Sequence, residues 1–261
     1  MAEARPAATV VVLRQGSAGP EVLLLLRSKR VGFFPDAWVF PGGRVDPDDS
    51  LLPVRGRVPG LPDADRAFAV AALRECFEET GVWLGAGQPP VDLRLALIAR
   101  RASLLAVPGL VADLDALRLW SWWVTPEGEP RRFDTRFFLA TLAPGAAGDV
   151  GPDGEETVAA EWVPVHQALS DCAVDGRFMA PPTFRTLEEL ARFRTTDRIW
   201  AAAAARQVRE VRPILRRDLP GVDGWGVLLP GDPEHPDPQP VEGGTRIVLR
   251  AGRWVSEGSA R

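Results

Sequence analysis

Apolar runs separated by turn residues predict two strands near the start of the chain. Residues 9–13 and 21–26 are rich in Val and Leu, and residues 16–20 between them contain the Gly and Pro typical of a turn. Residues 38–40 predict a third short strand that leads directly into a pair of glycines. The first part of the chain therefore predicts a piece of sheet.

A longer segment, residues 63–81, has the pattern of an amphipathic helix. Asp63 or Asp65 is suited to the N-cap, and Gly81 is the residue type favoured where a helix ends. The apolar side of this predicted helix is formed by Phe68, Ala72, Leu73 and Cys76. The other side carries glutamates, so we expect it to face a cleft.

The rest of the chain continues to mix helix and strand. Apolar spacing predicts two short helices within 92–118, a strand at 133–142, and a strand at 161–165 that is followed by a short helix. Beyond residue 180 the pattern predicts helices at 186–193 and 197–215 and a hairpin at 245–255. This mixture predicts an α/β protein.

Composition and charge exclude several classes of protein. With 261 residues, of which 46% are hydrophobic and 25% charged, the chain can bury a substantial core. A net charge of −4 offers no electrostatic surface for nucleic acid or an anionic membrane, and the apolar stretch 22–26 is far too short to span a bilayer. Two cysteines form no disulfide framework, so we expect a cytoplasmic protein.

The most informative run is Arg-Glu-Cys-Phe-Glu-Glu-Thr-Gly-Val at residues 74–82. On a helix, Glu75, Glu78 and Glu79 share one face with roughly 5–6 Å between neighbouring Cβ atoms, so they repel one another. Arg74 can compensate part of this charge, and a hard divalent cation that prefers oxygen ligands would compensate the rest. A solvated acidic helix face is the alternative.

A second element lies upstream at Phe40-Pro41-Gly42-Gly43. Paired glycines let a backbone turn tightly and approach a ligand closely, which suits a phosphate-binding turn. An ordinary tight turn explains the two glycines equally well.

Together these residues resemble the Nudix box. Gly43 matches its opening glycine, Asp49 stands where an acid, usually Glu, is expected, and residues 74–82 match the second half if Cys76 counts as apolar. One departure is large, because 24 residues separate Asp49 from Arg74 where the family has a much shorter spacer. An inserted surface loop costs little entropy per added residue, so the helix need not be disturbed, but the role of Asp49 stays open.

The insertion at about 50–66, the run at 23–28 and the glycine turn together resemble the coenzyme A diphosphatase branch of Nudix hydrolases. The resemblance covers about residues 8–170. It implies a Nudix α/β/α sandwich with a mixed sheet, a helical insertion after the box and a C-terminal extension. We expect a Nudix domain at 8–180, with 181–261 packed on that core or on a partner subunit; a homodimer is left open.

The same resemblance implies a metal site. Glu75, Glu78 and Glu79 would hold Mg²⁺ or Mn²⁺, Gly43 would offer its backbone carbonyl, and Arg74 would keep the glutamates in register. The general base would be Glu79, Glu75 or Glu156, which precedes the strand at 161–165. Glu155 is the rival of Glu156, and a solvated loop glutamate is the alternative.

Substrate contacts are expected from Arg27, from the backbone of Gly42 and Gly43, and from Arg132. Arg131 and Arg132 stand just before a predicted strand that should end near the cleft, although solvated arginines would explain the pair as well. The tryptophans at 120, 122 and 123 are interpreted as core or interface residues, with stacking on a nucleobase as the alternative.

These observations predict an enzyme that hydrolyses the diphosphate linkage of a nucleoside diphosphate joined to another moiety. Coenzyme A or acyl-coenzyme A is the favoured substrate. ADP-ribose, NADH and dinucleoside polyphosphates remain alternatives, because the residues of the motif would contact only the diphosphate and its metals. A hypothesis of another class is a nucleotide-sensing protein that keeps the fold without turnover, although a pure binder has no need for self-repelling glutamates.

Overall fold

The computed structural model describes residues 2–32, 34–90, 92–142, 150–172 and 176–258. Its strands are β1 Arg5–Gly16, β2 Gly19–Arg27, β3 Trp38–Val39, β4 Gly42–Arg44, β5 Val54–Arg55, β6 Ala112–Asp113, β7 Arg118–Val124, β8 Phe133–Thr141, β9 Thr157–Pro164, β10 Glu210–Val211, β11 Ile214–Arg216, β12 Gly226–Leu228, β13 Arg246–Arg250 and β14 Arg253–Glu257. Its α-helices are α1 Arg66–Thr80, α2 Leu93–Ile98, α3 Val165–Ser170, α4 Pro181–Leu190 and α5 Thr196–Ala205.

The main sheet is mixed and is built around β1. Within the described residues it has eight strands: the order β10-β7-β8-β1-β2-β3 forms its length, β4 pairs with β1, and β9 pairs with β2. Strand β1 runs parallel to β8 and antiparallel to β2 and β4. This arrangement confirms the predicted strands near the chain start and the predicted mixed sheet.

Side chains of β1 are buried on both faces of the sheet. Val10 and Val12 pack in the cluster that contains the apolar side of α1, whereas Val11 and Leu13 pack in the cluster that contains α4 and α5. Successive side chains of a strand point to opposite faces, so a continuous apolar run indicates a strand covered on both sides. Helices on both faces of a mixed sheet confirm the predicted α/β/α sandwich.

The predicted box helix is confirmed as α1. It begins at Arg66 after a short 3₁₀ turn, and it ends at Gly81, which has a φ of 81° and donates its N–H to Phe77 O at 2.8 Å. Glycine enters this left-handed region without the steric cost that a Cβ would add. The position of Gly81 therefore fixes the last turn, which holds the glutamates.

The inserted segment 50–66 packs against the rest of the fold. Strand β5 within it pairs in parallel with β6, and Ala112 donates its N–H to Pro53 O at 2.9 Å. Leu52 and Val58 are buried in the same cluster as α1. The insertion thus joins the core on the α1 side.

The segment after the box is less helical than predicted. Only α2 forms a regular helix within 92–118, while Leu104–Ala106 and Leu114–Ala116 are single 3₁₀ turns. Strand β7 begins at Arg118, where this region ends, and was not predicted as a strand.

The C-terminal part contains one clear correction. Helix α4 starts at Pro181, earlier than predicted, and α5 ends at Ala205 although a helix was predicted to residue 215. The rest of the predicted helix contains the short strand β10 and the start of β11, which are separated by residues 212 and 213. Helix α5 ends where Arg206 adopts an extended backbone, and Glu210 and Val211 then pair with β7. Pro213 lies eight residues beyond this end; it lacks an N–H and would only have prevented a helix from continuing as far as residue 215. The hairpin is confirmed, with its turn at Ala251 and Gly252.

The C-terminal strands β11 to β14 form a second sheet that contacts the core. Val227, Ile247 and Trp254 belong to the same buried cluster as Val11 and Leu13 of β1. In the part of the chain that the structure describes, no helix has the length and apolar character needed to cross a membrane. The C-terminal segment thus covers the sheet face opposite α1.

Candidate active site

An open cleft of about 880 Å³ lies where the last turns of α1 meet strands β1 and β4. We call it the carboxylate cleft, because Glu75, Glu78 and Glu79 line it together with the glycine turn. The structure therefore brings together the two sequence elements that resembled a Nudix box.

Arg74 connects both halves of the box. Its Nε and Nη2 donate to the two carboxylate oxygens of Asp49 at 2.8 and 3.0 Å, and Nη2 also donates to Arg44 O at 2.8 Å. Its Nη1 donates to Glu75 Oε1 at 2.9 Å and to Glu78 Oε2 at 3.3 Å. A buried planar guanidinium that binds a carboxylate with two parallel bonds has a fixed orientation.

Asp49 lies on the opposite side of Arg74 from the cleft glutamates. It is 2% exposed, and it accepts a hydrogen bond from the Asp46 N–H at 2.7 Å within a 3₁₀ turn. Its contacts are thus to Arg74 and to its own turn. Despite the long insertion, Asp49 reaches the box helix and orients its arginine.

Glycine leaves room for close contacts at both positions of the turn. The N–H of Gly42 donates to Glu79 Oε2 at 2.8 Å. A Cβ at Gly43 would overlap the Glu75 carboxylate, and a Cβ at Gly42 would overlap the carbonyl of Ala8 on β1. The absence of side chains lets the turn lie directly on the helix carboxylates, whereas the approach of this turn to a phosphate stays a prediction.

Burial raises the pKa of all three cleft glutamates. Desolvation is the largest cause for Glu75, whose pKa rises to about 7 even though Arg74 opposes the rise. The pKa of Glu78 is also raised by burial, and that of Glu79 is raised well above its ordinary value by burial and then by Glu75. Arg74 alone therefore does not compensate the charge of the three ionised glutamates, and a further positive charge would stabilise them.

The donor set fits a hard dication such as Mg²⁺ or Mn²⁺ by its chemistry. Such ions prefer carboxylate and carbonyl oxygens, and the cleft offers three carboxylates beside the backbone of the glycine turn. Among the described residues, no three acidic, His or Cys side chains already converge as a metal cage. Glu75 and Glu78 bind Arg74, and Glu79 binds the turn, so metal binding would redirect carboxylate oxygens from these partners.

Sequence reasoning missed Arg94. From α2 its Nε donates to Glu78 O at 2.9 Å, and its Nη2 donates to Glu79 O and to Gly151 O, each at 2.7 Å. The last carbonyls of a helix lack intrahelical partners, and a basic side chain often supplies one. Nothing in the sequence indicates that an arginine beyond the helix folds back to do so.

The loop before β9 is organised by Asp153, which sequence reasoning also missed. Its carboxylate accepts the N–H groups of Glu155, Glu156 and Thr157 at 2.6, 2.7 and 3.1 Å. Both Glu155 and Glu156 are exposed and line the cleft, as does Asp153, whose charge contributes to raising the pKa of Glu79. The geometry does not separate Glu156 from its rival Glu155.

The arginine pair before β8 divides between two environments. Arg131 is exposed and lines the carboxylate cleft, as does Arg27. Arg132 is 8% exposed and donates to Ala2 O at 2.9 Å and to Thr125 O at 3.2 Å, away from the cleft lining. Adjacent residues of an extended chain point in opposite directions, so Arg131, and not the predicted Arg132, lines the cleft.

The three tryptophans and Cys76 pack against other side chains of the protein. Trp120 and Trp123 are buried in the core, and Trp122 lies under the Arg136 guanidinium at 3.7 Å from its ring centre. These positions agree with the core interpretation. Cys76 is fully buried on the apolar side of α1, and burial raises the pKa of its thiol to about 12, so it is a poor nucleophile.

Comparison with known proteins agrees with this geometry. A family model described as the NUDT19 Nudix domain matches residues 55–192, and one described as the NUDIX domain matches residues 3–93. The chain is 28% identical to acyl-coenzyme A diphosphatase NUDT19 of Gallus gallus, over 93% of this chain and 80% of that protein. It is 31% identical to the Homo sapiens protein of the same name, over 82% of this chain and 72% of that protein.

A solved structure is also similar. A NUDIX hydrolase from Alicyclobacillus acidocaldarius is 33% identical and has a TM-score of 0.67, covering 77% of this chain and 97% of that one. The sandwich, the box helix and these similarities agree: the chain belongs to the Nudix family and is a Nudix hydrolase. Within that family it groups with the proteins that share the NUDT19 Nudix domain.

Proposed function

We propose that this enzyme hydrolyses the diphosphate linkage of coenzyme A or acyl-coenzyme A in the presence of Mg²⁺ or Mn²⁺. The products would be a phosphopantetheine and adenosine 3′,5′-bisphosphate. The observation that carries the proposal is the buried, mutually repelling carboxylate cluster of α1, which opens into a cleft of about 880 Å³. The names of the Gallus gallus and Homo sapiens relatives support the choice of substrate.

The cation requirement follows from the charges. A diphosphate is itself negative, so a cleft of glutamates would repel it unless positive charge lay between them. When bound by Glu75, Glu78 and Glu79, a dication would neutralise charge and lower the pKa of a bound water. A backbone carbonyl of Gly43 is the further oxygen that we propose as a ligand.

The protein's own groups would hold this arrangement in place. Arg74 orients Glu75 and Glu78 through its hydrogen bonds, and Gly42 orients Glu79 through its N–H. Arg27 and Arg131 line the same cleft and are proposed to contact the substrate phosphates. We propose that Glu79, Glu75 or Glu156 accepts the proton of the attacking water.

One experiment tests the proposal. The purified protein is incubated with Mg²⁺ or Mn²⁺ and with coenzyme A, acyl-coenzyme A, ADP-ribose, NADH or diadenosine polyphosphate, and products are identified by mass. Glu79→Gln should lower turnover by at least about 100-fold, because it removes both a negative ligand and a candidate base. Glu127→Gln, an exposed acid outside the cleft lining, is the matched control and should leave turnover unchanged.

The outcomes separate the candidate functions. Cleavage of coenzyme A compounds to 3′,5′-bisphosphate products supports the proposal, and preferential cleavage of ADP-ribose, NADH or a dinucleotide would replace its substrate. Binding without cleavage across the panel with either metal would favour the sensing protein.

A further inference from the structure

A second cavity of about 380 Å³ adjoins the carboxylate cleft. We call it the apolar pocket, because aromatic and aliphatic side chains, including Phe34, Phe40, Trp123 and Phe137, form most of its wall. Its volume falls in the roughly 300–1,000 Å³ range of small-molecule sites. The glycine turn contributes Phe40 and Gly42 to it, and the cleft glutamates do not line it.

The two cavities share a wall. Five residues line both of them: Thr9, Arg27, Gly42, Phe133 and Thr135. Three of the five belong to the neighbouring strands β1 and β8, and Gly42 is the residue whose N–H binds Glu79. A molecule held at the carboxylates can therefore extend past the glycine turn into the apolar pocket.

The C-terminal segment closes the far side of this pocket. Ala180 and Pro181 contribute from the start of α4, Leu215 from β11, and Trp225 and Val227 from next to and within β12. Trp225 packs edge-on against Trp254 at 4.8 Å between ring centres. The pocket wall is thus part of the packed core of the C-terminal segment.

The proposed substrate has two chemically different arms on either side of its diphosphate. One arm carries a further phosphate and needs cationic partners, whereas the other ends in a thiol or an acyl thioester. Arg44, Arg100 and Arg131 line the carboxylate cleft alone, whereas the apolar pocket shares Arg27 with the cleft and has Arg217 as a further arginine. The larger number of arginines favours the anionic arm on the cleft side. The apolar pocket suits the acyl end.

We infer that the apolar pocket binds the acyl group of an acyl-coenzyme A and makes the C-terminal segment the determinant of acyl-chain preference. This inference rests on the proposed function for the identity of the substrate. Each buried methylene contributes about 0.8 kcal/mol, so a medium-length chain should bind at least roughly tenfold more tightly than the free thiol.

The test fills the pocket without changing the carboxylates. Leu215→Trp, and separately Ala180→Leu, places extra volume in the wall at partly buried positions. The matched control is Leu95→Trp, because Leu95 is 67% exposed on α2 and lines neither cavity. Thermal unfolding of each variant verifies that the fold is kept.

Two readouts are compared for free coenzyme A and octanoyl-coenzyme A. The first is kcat/KM with Mg²⁺ or Mn²⁺, and the second is the dissociation constant with Ca²⁺ in their place, so that a dication still lies between the cleft glutamates and the diphosphate. We expect Leu215→Trp and Ala180→Leu to lower kcat/KM for octanoyl-coenzyme A by roughly tenfold or more and to weaken its binding similarly. Values for free coenzyme A should change less than about threefold, and Leu95→Trp should change neither.

The two readouts distinguish failure of the pocket from failure of the proposed function. Equal effects on both ligands, or none on either, would overturn the acyl pocket even where coenzyme A is cleaved. An adenine-binding pocket would produce such equal losses, since both ligands share the adenosine arm. If the unchanged protein cleaves neither ligand, the proposed function is overturned. The binding measurement then tests the pocket by itself: selective weakening of octanoyl-coenzyme A binding in the variants would support it, and its absence would overturn it.

Discussion

Arg74 shows how a single residue makes the acidic cluster compatible with folding. It pairs with Asp49 on one side and with Glu75 and Glu78 on the other, in a largely buried position. Burial still raises the pKa of the glutamates, so the compensation is incomplete. The sequence predicted the cluster and its arginine because both follow from helical spacing. The sequence could not predict that Asp49 forms an ion pair with Arg74, because 24 residues separate the two in the chain.

The raised pKa of Glu75 predicts a pH dependence of stability. In the folded protein without metal its pKa is about 7, above the ordinary value of 4.5, so between these pH values the folded state binds more protons than the unfolded state. Its contribution to the free energy of unfolding therefore decreases as pH rises through this window. Glu75→Gln should abolish that decrease, giving a relative gain on the order of 1–3 kcal/mol from pH 5 to pH 8.

Urea unfolding of both proteins in chelator at several pH values measures this difference. Adding Mn²⁺ at pH 8 should stabilise the unchanged protein more than the variant, because the ion occupies the position that protons leave. Parallel pH profiles for the two proteins would contradict the assignment of Glu75.

At the scale of elements, long periodic segments were predictable and contacts between segments were not. Helix α1 was predictable from its apolar side, its acids and Gly81. The predicted extension of α5 to residue 215 was wrong, because the backbone becomes extended at Arg206 and the following residues pair with β7. The choice between Arg131 and Arg132 depended on which side of the extended chain faces the cleft. Arg94 joins three segments through backbone carbonyls, a role that leaves no pattern in the sequence.

Arg94→Ala should loosen the end of α1 and the loop at 150–157 together. Three carbonyls lose a charged donor, so we expect a loss of about 1–3 kcal/mol in the free energy of unfolding and a lower kcat. Arg101→Ala, at an exposed position outside the cleft lining, serves as the control and should change stability by less than about 0.5 kcal/mol. Unfolding and steady-state kinetics check both values; an unaffected kcat in a destabilised variant would mean that Arg94 supports folding alone.

At the scale of the whole molecule, the C-terminal segment shares one buried cluster with the central strands. Val11 and Leu13 of β1 pack with Val227, Ile247 and Trp254 across the sheet face opposite α1. The sequence predicted a Nudix domain at 8–180 and an extension at 181–261, but it could not show how far the two interlock. The division at residue 180 stays a prediction, and α4 lies immediately after it within the matched range 55–192.

This shared cluster predicts cooperative unfolding. Trp254 is 5% exposed and donates its Nε1 hydrogen to Met179 O at 2.7 Å, so Trp254→Ala should cost about 3–5 kcal/mol. Val255→Ala, at the more exposed neighbouring position, should cost less than about 0.5 kcal/mol. In denaturant, far-ultraviolet circular dichroism and tryptophan fluorescence should report one coincident transition. Two separated transitions would show that the C-terminal segment folds independently.

The most direct test of the account is diffraction from a crystal soaked in Mn²⁺, recorded where manganese scatters anomalously. We predict an anomalous peak in the carboxylate cleft within about 2.0–2.6 Å of oxygens from Glu75 and Glu79. The carboxylate oxygens that now bind Arg74 and Gly42 should turn toward it. Ordered carboxylates that keep their present partners, with no peak between them at saturating Mn²⁺, would contradict the claim that this cluster holds dications against a diphosphate.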